Sequence, residues 1–295
     1  MKEIFFIKTG KAYLPEIEGY GRAFTKKGFS CGVISPEEVA RRDSANSAFW
    51  FFMGFYPHKI VSKGFVVHDY RSLSTGSMRG PKDFLKRAFQ PKPSLRVFLN
   101  ENVKKRMNFK DSVPSCLIDM GVDFPQWGAE KGRDVIYDYV YVGDVSKDRG
   151  IDRLLAWFAK TGGGKRLLLV GRCDEELRGA YGSPNIIFAG KVERERVYEY
   201  LMQSGTGISY VPRGMPYDLQ TSTKMLEYAW CGLNILANDS PSNILTAKKL
   251  SFECSRTRDP ILGLKIVNTG TGSIRGKLSW DKIIDDSGLF NHLRP

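Results

Sequence analysis

Histidine is scarce in this chain, three in 295 residues, and acidic side chains are outnumbered, 32 Asp and Glu against 45 Lys and Arg. A Ser-His-Asp hydrolase is a poor fit, because no Gly-x-Ser-x-Gly elbow occurs. The Gly-x-x-x-x-Gly-Lys-Ser/Thr spacing of a phosphate-binding P-loop is also missing. Five cysteines, Cys31, Cys116, Cys173, Cys231 and Cys254, are scattered, odd in number and without metal-ligand spacing. They read, for the most part, as packed small hydrophobes in a reducing compartment. No Asp-x-Asp pair follows a strand, so no bound metal is expected. No apolar run approaches the roughly 20 residues that span a bilayer. The longest, Ala48 to Tyr56, reads as a buried strand or turn. Met1-Lys2-Glu3 runs straight into the strand Ile4–Ile7, so no secretory leader is expected. The expected location is the cytoplasm, with the inner face of the membrane as a peripheral one. No short internal repeat or low-complexity tract is visible.

The composition, 42% hydrophobic, 12% aromatic and 26% charged, suits a globular protein with one large core or two modest ones. The net charge of +13 points to anionic partners such as nucleotides, phospholipids or nucleic acid.

Strand and helix patterns alternate twice. The first block has strands at Ile4–Ile7, Gly32–Ile34, Phe65–Val67 and Leu95–Leu99, with helices at Pro15–Lys27, near Asp83–Phe89, and at Glu101–Phe109. A short strand within Cys116–Val122 completes it. Phe124–Arg133, rich in Pro, Gly and charge, reads as a linker. The second block has strands at Tyr139–Val142, Arg166–Val170, Ile186–Phe188, Gly207–Val211 and Asn234–Ala237, with helices after Ile151 and over Glu193–Gln203. Such alternation predicts parallel sheets with right-handed crossovers, and ligands beyond the carboxyl ends of the strands.

The run from Ser222 to Ala237 reads as polar loop, helix, Gly turn and buried strand. Ser222, Thr223 and Lys224 fall at the helix N-terminus, where phosphate groups bind. Glu227 follows one turn inside, where a carboxylate suits ribose hydroxyls. This Lys-x-x-Glu-Tyr-x-x-x-Gly pattern resembles the nucleotide-sugar segment of retaining GT-B glycosyltransferases of family four. The resemblance implies two doubly wound Rossmann-like domains facing a cleft, with an acceptor-side domain over 1–124, a nucleotide-sugar domain over 125–275, and a helix over 276–295 packing back on the first.

Other segments are similar to the same family. Gly143 ends a strand and Arg149 precedes a helix, which the resemblance reads as backbone access and a cation for a diphosphate. The family's Arg after that Gly is Asp144 here, which cannot bind phosphate. Gly171 and Val192, after the next two strands, are implied contacts for base and ribose. The family's first Glu, eight positions before the second, is Leu219 here, and neighbouring Asp218 or Gln220 are the candidates to replace it. His68, ending an expected buried strand beside Asp69, matches a family His near the donor sugar, and also fits a structural His–Asp pair. Gly10, in Thr9-Gly10-Lys11, suits a loop admitting donor or acceptor. The resemblance thus assigns His68, Arg149 and Lys224 to catalysis, and Gly10, Gly143, Gly171, Val192, Asp218, Ser222, Thr223 and Glu227 to the donor.

The implied activity is metal-independent transfer of a sugar, with retention, from a UDP- or GDP-linked donor to a glycan or lipid-linked acceptor, in envelope or exopolysaccharide synthesis. No separate cofactor is implied. The second reading is a non-catalytic subunit of this shape that binds a nucleotide or a partner enzyme. Lys82, Lys86, Arg87 and Lys92 interleave with Phe84, Leu85 and Phe89, which suits an anionic lipid surface or an ordinary amphipathic helix with a solvated face. Nucleic acid is not an expected partner, since no zinc finger or RNP-type strand occurs, and charge alone keeps it as a third reading.

Overall fold

The computed structural model describes residues 2–8, 14–42, 45–53, 64–74, 78–122, 124, 134–268 and 271–293. The chain divides into two compact units, Met1–Gly121 with Ser279–Pro295, and Val122–Leu278.

The first unit runs β1 (Glu3–Ile7), α1 (Pro15–Lys26), β2 (Ser30–Ile34), β3 (Ser47–Phe52), β4 (Phe65–Tyr70), α2 (Arg79–Phe89), β5 (Leu95–Phe98), α3 (Glu101–Met107) and β6 (Ser115–Leu117). Its six strands are all parallel, in the order β2-β1-β3-β4-β5-β6. Every residue of β3 is buried. A central parallel strand is covered on both faces, so its sequence, Ser-Ala-Phe-Trp-Phe-Phe, is apolar without alternation. The apolar stretch from Ala48 is therefore strand through Phe52. α1 starts with Pro15 at its first turn and carries Glu16 and Glu18 there, where acids complement the helix dipole. Tyr20 and Phe24 follow on its inner face, 5.7 Å apart and packed on Trp50.

The second unit runs β7 (Tyr137–Val142), α4 (Ile151–Thr161), β8 (Leu167–Val170), α5 (Glu175–Tyr181), β9 (Ile186–Gly190), α6 (Arg194–Met202), β10 (Ser204–Ser209), α7 (Thr223–Trp230), β11 (Asn234–Ala237), α8 (Pro241–Leu250), β12 (Glu253–Arg256), β13 (Leu264–Val267) and α9 (Thr271–Leu278). The strand order is β12-β13-β11-β10-β7-β8-β9. The five strands from β11 to β9 are parallel, and β13 and β12 pair antiparallel at the edge. An all-parallel sheet thus holds only in part. The Thr257 N–H donates to the Gly263 carbonyl at 2.9 Å, closing a connection too short for a crossover, so it reverses the chain. The strand expected at Gly207–Val211 starts earlier and stops at Ser209, because the Val211 N–H donates to the Asn238 side chain instead of a strand.

α10 (Trp280–Asp286) belongs to the first unit. The Trp280 indole fills a slot between Gly19 of α1 and Gly121. A Cβ on either glycine would lie 2.4 or 2.5 Å from the ring. The same indole meets Tyr20 edge-on, with ring centroids 5.6 Å apart.

Candidate functional site

In the second sheet β8 and β9 lie on one side of β7, and β10 and β11 on the other. Chain direction across the sheet switches between β7 and β10. The loops leaving a switch point diverge and open a crevice beyond the carboxyl ends of the two strands. Here those loops are residues 143–150 and 210–222.

Glycines let the backbones crowd at this edge. Gly143 has φ +143° and Gly171 has φ +145°. A Cβ on Gly171 would stand 1.9 Å from the Gly143 carbonyl oxygen, so the loops after β7 and β8 touch through backbone alone. The Gly143 N–H donates to Val170 and the Gly171 N–H to Gly190, both at 2.9 Å.

α7 is fixed over the switch point by Tyr228. Its hydroxyl accepts from the Val142 N–H at 3.0 Å and donates to the Ile208 carbonyl at 3.1 Å, linking β7 and β10. Gly207 makes room, since a Cβ there would lie 2.3 Å from the Tyr228 ring. Lys224 sits one turn toward the helix N-terminus. Its Nζ lies 4.5 Å from the Tyr141 ring centroid, 3.4 Å from the Tyr141 hydroxyl and 3.2 Å from the Tyr210 carbonyl oxygen, to which it donates. Burial pushes the ammonium down to about pKa 7, and Arg149 pushes in the same direction. Arg149 stacks on the Tyr217 ring at 4.7 Å. Among the described residues neither cation is ion-paired with a carboxylate. Arg149 also lines a cavity of about 490 Å³ with Tyr210, Arg213 and Asn238.

The other expected residues fall as follows. Val192 is half-buried in the loop after β9, on the same edge of the sheet. Asp218 lies in a 3-10 turn, Tyr217–Leu219, and its Oδ1 is buried without a hydrogen-bond partner. Thr223 is exposed at the start of α7. The Ser222 hydroxyl, expected to face a phosphate, is instead turned inward, 3.0 Å from the Ser209 hydroxyl, and the Ser222 N–H donates to Thr246 Oγ1 at 2.9 Å. Ser222 is buried, and a buried hydroxyl takes a partner in the protein. Glu227 is buried too, and its Oε1 accepts from Arg194 at 2.7 Å. His68 lies within β4, between Val67 and Asp69, not beyond the strand end. It is 2% exposed, and burial with the nearby Arg96 charge pushes its pKa to about 3. The imidazole is held neutral inside the sheet. It does not pair with Asp69, whose Oδ2 accepts from Tyr20 and Trp50. Adjacent strand residues point to opposite faces. Gly10 lies outside the described residues.

Several residues enter that sequence reasoning did not reach. Arg194, at the start of α6, bonds Glu227 and stacks on Phe124 at 4.4 Å. Arg172, just after Gly171, donates to Asp144 through Nε at 2.9 Å, so the loop after β7 carries a neutralised carboxylate. Asn243 of α8 donates to the carbonyls of Ser209 and Asn238 and accepts from the Ser209 hydroxyl, tying the end of β10 to the residue after β11. For Asn243 the local signal is Ser240-Pro241, a cap and first-turn proline that mark the start of α8.

Among the described residues, no group of three His, Cys, Asp or Glu side chains is placed to hold a metal ion, and no helix is long and apolar enough to cross a membrane. No family model matches the chain, and no curated protein does. Solved structures do. AviGT4, a glycosyltransferase involved in avilamycin A biosynthesis, aligns over 100% of this chain and 98% of its own, with 14% identity and a TM-score of 0.63. Anabaena Alr3699/HepE, in complex with UDP and glucose, aligns over 98% and 95%, with 9% identity and a TM-score of 0.60. An alpha-glucosyltransferase in complex with UDP and a 13-mer DNA aligns over 97% and 90%, with 11% identity and a TM-score of 0.58. At these identities the likeness is one of fold: two α/β units of GT-B type, matched over nearly the whole chain.

Proposed function

We propose that this protein is a glycosyltransferase that takes its sugar from a UDP- or GDP-linked donor held in the second unit. The observation that carries the reading is the pair Lys224 and Arg149. Two cations stand at the switch point of the parallel part of the sheet, neither ion-paired with a carboxylate among the described residues, and one of them is partly dehydrated. Arg149 is charged before any ligand arrives, and Lys224, poised near neutrality, takes its full charge as a diphosphate binds. In transfer, the bond from the sugar to the diphosphate breaks and negative charge grows on the departing phosphate. Lys224 and Arg149 meet that charge, with the exposed N-terminus of α7 at Thr223 adding its dipole. Glu227, oriented by Arg194, has lone pairs left for ribose hydroxyls. Asp218, with one oxygen unpartnered, is the acceptor for a sugar hydroxyl. Gly143, Gly171 and Val192 give backbone access to base and ribose.

The likeness to structures solved with UDP supports a uridine donor over a guanosine one. Retention of anomeric configuration, independence from metal, and a glycan or lipid-linked acceptor in envelope or exopolysaccharide synthesis complete the proposal. The test is a thermal-shift screen against UDP, GDP, ADP and their sugars, repeated on Lys224→Met. One nucleotide raises the midpoint by mass action, and the variant loses the shift. No shift with any of them overturns the reading. Binding without transfer or donor hydrolysis across an acceptor panel leaves a nucleotide-binding subunit.

A further inference from the structure

α2 is turned inside out. A surface helix ordinarily presents its apolar stripe to the core and its charges to water. α4 does so, burying Ile151, Leu154, Leu155 and Phe158. In α2 the half-buried side chains are Asp83 and Lys86. Asp83 Oδ1 accepts from the Ser74 N–H at 3.0 Å, which fastens the polar side of the helix to the unit. Phe84, Leu85 and Phe89 are 55%, 43% and 53% exposed, and Met78, just before the helix, is 62% exposed.

At 100° per residue, Phe84, Ala88, Leu85 and Phe89 fall on one arc, with Asp83 and Lys86 on the other side. Lys82 borders the arc on one flank and Arg87 on the other, both exposed. The outward face therefore has an aromatic and aliphatic centre with a cationic edge, and the one acid of the helix is turned away from it. Among the described residues, four of the nine exposed large hydrophobic side chains lie between Met78 and Phe89, so this is a patch and not scatter.

The charge pattern selects what covers it. Two copies meeting face to face through a two-fold axis would bring Lys82 and Arg87 against the same cations of the partner copy. An anionic bilayer fits both features, because aromatic rings settle at the headgroup level and Lys and Arg reach the lipid phosphates. The net charge of +13 draws the chain to the same surface. We propose that the outward face of α2 (Met78, Phe84, Leu85 and Phe89, edged by Lys82 and Arg87) seats this protein on an anionic lipid bilayer. Nothing in that seating depends on the nucleotide site.

The experiment is co-sedimentation of the full chain with vesicles of phosphatidylcholine, with and without phosphatidylglycerol. Wild type, Phe84→Ser/Phe89→Ser and Lys82→Glu/Arg87→Glu are compared. The altered side chains are exposed, so circular dichroism and the thermal midpoint should not change. Wild type sediments with the phosphatidylglycerol vesicles, and each double variant binds at least about tenfold more weakly. In a separate variant, Phe84→Trp, the emission shifts to the blue on these vesicles alone. Sedimentation of the Ser variant equal to wild type overturns the proposal. So does equal binding to neutral vesicles, or no binding to either. A concentration-dependent dimer that the Ser variant abolishes, without vesicle binding, also overturns it and assigns the face to a second copy.

Discussion

The Lys224 ammonium lies 4.5 Å from the centroid of the Tyr141 ring and donates to the Tyr210 carbonyl, and among the described residues it is not ion-paired with a carboxylate. In the free protein it gives up its proton near pH 7. A bound diphosphate favours the charged form and holds that proton to higher pH. Affinity for UDP is therefore full below pH 7 and falls as the pH rises, toward about tenfold per pH unit. Lys224→Arg stays charged and flattens the profile. Titration calorimetry from about pH 6 to about pH 9 checks both, since a pH-independent wild type contradicts the assignment.

Arg194 and Glu227 form one unit. Glu227→Ala removes the charged hydrogen bond from Arg194 and costs about 1–3 kcal/mol in urea denaturation. Glu227→Gln keeps the shape and loses the preference for UDP over its 2′-deoxy analogue.

Gly171→Ala places a methyl on the Gly143 carbonyl and demands an unfavourable φ. The expected cost is about 3 kcal/mol or more. Gly179, inside α5, has open space at the same position, and Gly179→Ala is expected to stabilise by about 0.5–1 kcal/mol. Thermal denaturation of the two side by side separates crowding at the crevice from general glycine effects.

His68 gives an acid-side prediction. Unfolded, it protonates near pH 6.5, and folded it refuses the proton until about pH 3. The unfolded state binds the extra proton across that window. Stability is whole above pH 6.5 and is lost as the pH falls, by up to about 1.4 kcal/mol per pH unit from this residue. His68→Phe should show a shallower acid limb than wild type when the two are unfolded in urea across that range. Parallel limbs would rule out His68 as a source of acid sensitivity.

The central elements were readable because one strong local signal marks each. Pro15 with Glu16 and Glu18 announces α1, the Leu-Leu-Leu-Val run announces β8, and helical spacing from Ile151 to Phe158 announces α4. α5 is short, and β12 is exposed at all four positions, so neither carries a periodic pattern. Lys224 and Arg149 could be nominated from their places beside a strand and a helix. The inward turn of Ser222 and the claim of Arg194 on Glu227 could not, because both depend on partners far along the chain. α2 is a case of a correct helix with an unreadable direction. Periodicity shows that two faces differ, and only the contact of Asp83 with Ser74 decides which looks inward.

The slot between Gly19 and Gly121 stays empty until Trp280 leaves the ribosome. A nascent chain usually finishes its first domain before the next is made. Here Val122–Leu278 is synthesised in between, while the Tyr20 face that Trp280 covers waits open. The unit whose synthesis begins first is thus the last to be completed. A truncation before residue 280 would leave the Gly19–Gly121 slot and the Tyr20 edge without the indole that covers them.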